Sequence, residues 1–175
     1  MKKAIFLSVI VVLIVIGYGY FVEQKPDVVV SNFEECGALG NPVMESYPRQ
    51  CRTSDGRLFV EDIGNELEKQ DLIRANNPRP NQLISSPLSI SGEARGYWFF
   101  EASFPIKLFD GNGKELGTAI AQAGSDWMTE EFVPFSATLE FETPTTDKGT
   151  LIFKKDNPSD LPEHDDQLTM PVRFK

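Results

Sequence analysis

The sequence is poor in the side chains that carry metal and nucleophilic chemistry: 175 residues contain one histidine and two cysteines. A structural zinc centre asks for four Cys/His ligands, more than this sequence holds, so none is expected. No G-x-S-x-G elbow is present, which removes the commonest serine-hydrolase signature. Positive charge is scarce as well, with 17 Lys+Arg against 26 Asp+Glu and a net charge of −9. Lys2, Lys3 and Lys25 lie in the first 25 residues, so residues 26–175 carry 14 bases and 25 acids. Nucleic-acid binding runs on Lys and Arg neutralising phosphate, and so excess of acid excludes DNA and RNA as partners. Internal repeats, low-complexity tracts and long amphipathic helical stretches are also missing, and with them solenoid and helical-bundle folds.

There is one long hydrophobic run. Ala4–Val22 follows Met1-Lys2-Lys3 and is broken only by Ser8, Gly17, Gly19 and two tyrosines. At about 1.5 Å per residue it just spans a hydrocarbon core of about 30 Å. Lys2 and Lys3 on the short side assign the N-terminus to the cytoplasm and everything after Val22 to the outside. The expectation is a single-pass signal-anchor over residues 1–24, a transmembrane helix that leaves the C-terminal part extracytoplasmic at the cell membrane. The alternative is a cleaved signal peptide ending at Gly17-Tyr18-Gly19. Both export the chain.

Residues 25–70 hold both cysteines. In an exported chain, Cys36 and Cys51, an even pair without CxxC spacing, read as one structural disulfide. The loop it closes adds about 3 kcal/mol in the chain-entropy model, in a segment too short to bury a core of its own. Thr53-Ser54-Asp55-Gly56 is a turn signal leading into a short strand at Arg57–Val60. Its Cys-x3-Asp-Gly-x2-Phe pattern faintly resembles disulfide-rich protease-inhibitor modules, which carry several disulfides. Glu61–Arg74 offers one helix with a thin apolar stripe at Ile63, Leu67 and Ile73.

From Asp71 onward the texture is β. Leu88–Gly92, the run from Trp98 to Phe109, Lys114–Ala123, Ala137–Phe141, Leu151–Phe153 and Leu168–Phe174 alternate or cluster apolar residues between turn signals. Asp110-Gly111-Asn112-Gly113 is a strong hairpin turn. About seven short strands predict a mainly β chain, an antiparallel two-sheet sandwich over 71–175. Asn81-Gln-Leu-Ile-Ser-Ser-Pro-Leu-Ser-Ile-Ser-Gly-Glu-Ala-Arg-Gly96, Trp98–Phe104, Leu108–Gly113, Asp126-Trp-Met-Thr129, Val133–Ala137, Lys154–Pro158 and Met170-Pro-Val-Arg173 resemble, in order, the immunoglobulin-like domain of bacterial spore germination proteins, the Gmad2 domain. The resemblance implies an immunoglobulin-like sandwich serving as a non-catalytic accessory module outside the cytoplasm, with no catalytic residue to carry over.

Three groups of residues are candidates for function. Trp98, Phe100 and Trp127 are aromatics that either fill the core or plug a loop, or that strand alternation and an apparent loop would expose to an envelope protein or a glycan. Asp156, Asp160, Asp165 and Asp166, with Asn157 and Glu163, crowd one short loop, which reads as a solvated acidic loop held by Asn-Pro and Leu-Pro turns or as a calcium site without EF-hand spacing. His164 in the same loop is the one histidine a Ser-His-Asp triad could use; a solvated loop histidine is the plainer reading. The function expected is a non-enzymatic, membrane-anchored interaction or scaffold module with no cofactor. A calcium-stabilised structural or adhesion domain is the alternative, ahead of an envelope hydrolase or a protease inhibitor.

Overall fold

A computed structural model describes residues 29–174. The apolar run Ala4–Val22 lies outside the described residues, and no helix within them is long and apolar enough to cross a membrane.

The described chain forms two units. The first begins with α1 (Phe33–Ala38), capped by the Asn32 side chain accepting from the Glu35 amide at 2.8 Å. β1 (Val43–Met44), β2 (Gln50–Arg52) and β3 (Leu58–Val60) then make a three-stranded antiparallel sheet. Cys36 of α1 and Cys51 of β2 are disulfide-bonded and fully buried. With Val30, Phe33 and Phe59 they are the whole core of this unit. So small a core needs its covalent crosslink.

Residues 61–74 are not one helix. Only Glu66–Lys69 is helical (α2), and Ile73 already belongs to a strand. Gly64 ends the helical path from the N-terminal side with φ +67°, packed so closely on the last strand, β10 (Gln167–Arg173), that a Cβ there would lie 1.9 Å from the Thr169 carbonyl oxygen. Asn65 then clips α2 to the same strand, accepting from the Thr169 amide at 2.7 Å and donating to the Gln167 carbonyl at 3.0 Å.

The second unit holds β4 (Ile73–Asn77), β5 (Leu88–Arg95), β6 (Ser103–Asp110), β7 (Glu115–Ala123), β8 (Phe132–Leu139), β9 (Lys148–Lys154) and β10 (Gln167–Arg173), hydrogen-bonded in the order β10-β9-β6-β7-β8-β5-β4. β7 and β8 share only the pairs Gln122–Ser136 and Ala123–Phe135, so the ribbon folds over at that point into two layers. The chain beyond β4 closes most of the other side, where Leu83 bridges Arg173 in parallel. Layers β4-β5-β8 and β10-β9-β6-β7 make a nearly closed, immunoglobulin-like sandwich.

Strict alternation builds the core. Leu88, Ile90 and Ala94 of β5, Phe104, Ile106 and Leu108 of β6, Leu151 and Phe153 of β9, and Leu168, Met170 and Val172 of β10 all point inward. Phe104 and Phe135 meet across the layers edge to face, 5.0 Å between centroids. Burial of each such ring or branched chain stabilises the fold by roughly 1.5–3 kcal/mol. Pro105 sits inside β6, opposite Ile120 of β7, while the ladder to β9 starts one residue later at Ile106; its missing N–H therefore costs no β9 bond. The hairpin at 110–113 forms as its sequence requires. The Asp110 carboxylate accepts from the amides of Asn112 and Lys114 and from the Thr145 hydroxyl, contacts that hold its pKa below the ordinary carboxylate value.

Candidate functional site

Antiparallel pairing brings the ends of six strands to one end of the sandwich. Arg95 stands opposite Phe132, Ser103 opposite Gln122, and Lys154 opposite Gln167. The three connections they bound, residues 96–102, 124–131 and 155–166, therefore share that end. Hydrogen bonds join them into one surface: the Gly96 amide donates to the Glu131 carbonyl at 3.2 Å, and the Asp156 amide to the Trp98 carbonyl at 3.1 Å. Gly96 permits the close approach. A Cβ there would stand 1.9 Å from the Thr129 carbonyl oxygen and 2.3 Å from that of Trp127.

All the aromatic and acidic candidates from the sequence fall at this end, in different roles. Trp98 is not presented to a partner. Gly96–Trp98 is a turn of 3₁₀ helix rather than a strand, so alternation does not apply and Trp98 and Phe99 are both buried. Its indole Nε1–H has no hydrogen-bond partner within the described residues. Trp127 is half-buried and packs on the core. Phe100 is 40% exposed. It flanks a two-residue turn in which Phe100 and Ser103 exchange backbone hydrogen bonds. The turn residues Glu101 and Ala102 have φ of +48° and +61°, a conformation that suits Asn-Gly and strains other side chains.

The sequence did not single out Tyr97, Met128 or Leu161, which the structure exposes beside these loops at 50%, 77% and 47%. Met128 stands out on an Asx turn, its amide donating to Asp126 Oδ1 at 3.0 Å. Phe132, at the start of β8, is flanked by two guanidinium groups, Arg74 at 4.0 Å and Arg95 at 4.1 Å from the ring centroid. These cation–π contacts fix the edge of the surface.

The acidic loop is organised by an amide. Asn157 accepts from the Ser159 amide and hydroxyl, and donates to the Leu161 carbonyl and to Asp165 Oδ1. That hydrogen bond, with Lys154 nearby, holds the Asp165 carboxyl below its ordinary pKa. Asp166 pairs with Lys69 at 2.6 Å, and Asp160 takes a left-handed backbone, φ +54°. Two of the four calcium candidates are thus committed to lysines or amides. Among the described residues, no three His, Cys, Asp or Glu side chains converge on a point where a metal could sit.

His164 Nδ1 lies 3.1 Å from the Ser159 hydroxyl, which also contacts Asn157 at 2.5 Å. Both side chains are exposed. No carboxylate orients the imidazole among the described residues, and the parts of a nucleophile–base–orienter set are not assembled here.

Along the edge of the sandwich, beside β10, a polar seam joins the small unit to the second unit. Arg49 donates to both oxygens of Glu61 at 2.8 and 2.6 Å, and Asn81 Nδ2 reaches Glu61 at 3.1 Å. Arg79 pairs with Glu66 at 2.6 Å and donates to the Tyr47 hydroxyl, which itself donates to Glu66. Lys148 at the start of β9 reaches Glu34 of α1 at 2.8 Å. The Arg49 guanidinium holds the Glu61 carboxyl below the ordinary range against the opposing effect of burial. Burial dominates at Glu66 and pushes its pKa up, with Arg79 drawing it back. An open cleft of about 260 Å³ lies beside the seam, lined by Pro48, Glu61, Ile63, Leu67 and Glu68 among others.

No curated protein and no solved structure matches the chain. A family model matches residues 72–161, from the residue before β4 into the β9–β10 loop. The match takes in six of the seven sandwich strands and most of the three-loop end, and the chain belongs to the family described as the immunoglobulin-like domain of bacterial spore germination.

Proposed function

We propose that this chain is a non-enzymatic binding module of the bacterial cell envelope, held at the membrane by Ala4–Val22 and presenting the three-loop end of its sandwich to a partner protein. One observation carries the reading: Tyr97, Phe100, Met128 and Leu161 are exposed together on or beside loops that are hydrogen-bonded to one another. Exposed apolar side chains scattered singly need no explanation, but a group of them on one surface marks an interaction site. The surface also lies at the end of β9 away from Lys148, the residue that pairs with Glu34 of α1 in the small unit.

The charge of this end selects the partner. Residues 96–102, 124–131 and 155–166 carry nine acidic side chains and one basic one, Lys155. Exposed apolar side chains on loops rich in carboxylates complement a protein surface that sets apolar residues beside Lys and Arg. Met128 and Leu161 suit burial against apolar side chains better than contact with a sugar. The test is affinity purification of the full chain from its own cells, with quantitative mass spectrometry. A partner enriched by the wild type should fall at least tenfold with Phe100→Ser/Met128→Ser and be released by raised salt. Undiminished capture by the double variant would overturn the assignment of this surface.

A further inference from the structure

The three-stranded sheet of the small unit has two unlike faces. Val43, Cys51 and Phe59 are register partners on one side, where α1 covers Cys51 and Phe59 through Cys36 and Val30 completes the core, while Val43 at the edge stays 41% exposed. On the other side Met44, Gln50 and Val60 stand in one row and Arg52 opposite Leu58 in the next. Nothing among the described residues covers that face: Met44 is 39%, Leu58 45% and Val60 50% exposed. A unit this small has little apolar surface to spare, yet it places three apolar side chains together outside its core. Val29, where the chain enters, is 73% exposed.

The point of entry names the occupant. Six residues, 23–28, separate Val29 from the apolar run Ala4–Val22. Fully extended at about 3.5 Å per residue, the link reaches roughly 25 Å. A bilayer holding that run therefore lies within reach of this unit. Arg52 is exposed on the same face and has no ion-pair partner among the described residues. A long cationic side chain beside apolar ones is the pattern that seats at a lipid interface, with the stem among acyl chains and the head at the phosphates.

We infer that the outer face of the β1–β2–β3 sheet rests on the membrane surface, with Met44, Leu58 and Val60 at the headgroup–acyl boundary and Arg52 on lipid phosphate. This rests on the membrane-anchored reading proposed above. The contact orients the protein: the small unit lies on the bilayer, and β9 runs from Lys148, paired with Glu34 of α1, to the loop end at Lys154.

Photolabelling tests this on the full chain. The protein is reconstituted in phosphatidylcholine–phosphatidylglycerol vesicles containing a phospholipid with a diazirine near the top of its acyl chain, irradiated, and mapped by mass spectrometry. Label is expected in residues 4–22 and on Met44, Leu58 and Val60. In Leu58→Glu/Val60→Glu the label on the sheet should fall at least fivefold while that in 4–22 stays. The wild-type map decides the matter even if the variant folds poorly. Label confined to 4–22 overturns the membrane-resting face and leaves the anchor standing. No label in 4–22 overturns the anchor itself. Label spread evenly over the sandwich, or crosslinks joining 4–22 to the sheet, also overturns the inference.

Discussion

The backbone amide of Asp156 donates to the carbonyl of Trp98 at 3.1 Å, tying the acidic β9–β10 loop to the turn that buries the tryptophan. Two features that look independent in sequence, an aromatic run and an acidic cluster, are therefore parts of one surface. The tryptophan supports it from below, and Tyr97, Phe100, Met128 and Leu161 face outward.

Trp98 and Phe100 should consequently separate in their effects. Trp98→Ala opens a cavity in a close-packed core and is expected to cost about 3–5 kcal/mol. Phe100→Ala is expected to cost less than about 1 kcal/mol while weakening partner capture. Denaturant melts of both variants, read beside the capture assay, check this. Equal stability losses would place Phe100 in the core.

Gly96 packs against the backbone of the 124–131 loop at Trp127 and Thr129. Gly96→Ala must move the backbone at Trp127 or Thr129, and overpacking of this kind costs about 1–3 kcal/mol. The expected signature is loss of amide protection in 96–100 and 127–131, with the β9–β10 core unchanged, read by hydrogen exchange.

Glu101 and Ala102 hold a left-handed turn without glycine. Left-handed backbone costs an ordinary residue roughly 1–2 kcal/mol, so Ala102→Gly should raise stability by up to about 1 kcal/mol after its own entropy loss. A thermal melt reads the gain. A loss would show that the Ala102 side chain is needed for packing.

The two seam carboxylates should respond to acid in opposite senses. Glu61 is depressed by Arg49, so its contribution is present at neutral pH and is lost as pH falls below the unfolded value and through the folded one. Glu66 is raised by burial, so its charged form is unfavourable at neutral pH, and protonation on acidification relieves that cost. Glu61→Gln should abolish the acid-induced loosening of the seam, and Glu66→Gln should leave that loosening in place. Hydrogen exchange at residues 49 and 61, followed from pH 7 to pH 4, is the measurement.

Removal of the disulfide should act locally. Cys36→Ala/Cys51→Ala is expected to cost the small unit about 3 kcal/mol and to unfold residues 33–60 while the sandwich keeps its melting transition. Cooperative loss of both units would show instead that the seam binds them into one folding unit.

Much of the sandwich was legible because its signals are local. Strict alternation marked Leu168, Met170 and Val172 as one buried face, and Asp110-Gly-Asn-Gly defined a hairpin whose carboxylate makes the turn's own hydrogen bonds. Where reading failed, the deciding contacts were distant. A helix through Glu61–Arg74 is consistent with composition, but Gly64 is fixed by Thr169, more than a hundred residues away. Trp98 reads as a strand residue until the 3₁₀ turn is seen, and nothing local marks Met128 as more exposed than Trp127. The three loops converge because of the strand order, which no local pattern encodes. The seam is likewise invisible in sequence, since its members, Tyr47, Arg49, Glu61, Glu66, Arg79 and Asn81, share no motif.

The central claim is that the three-loop end is the binding surface, and a photo-crosslinking amino acid placed in living cells tests it most directly. At Met128 it should yield one recurrent protein adduct, and at Asn112, in the hairpin of the opposite end, it should not. Adducts from Asn112 and none from Met128, or the same bulk membrane neighbours from both, would contradict the account.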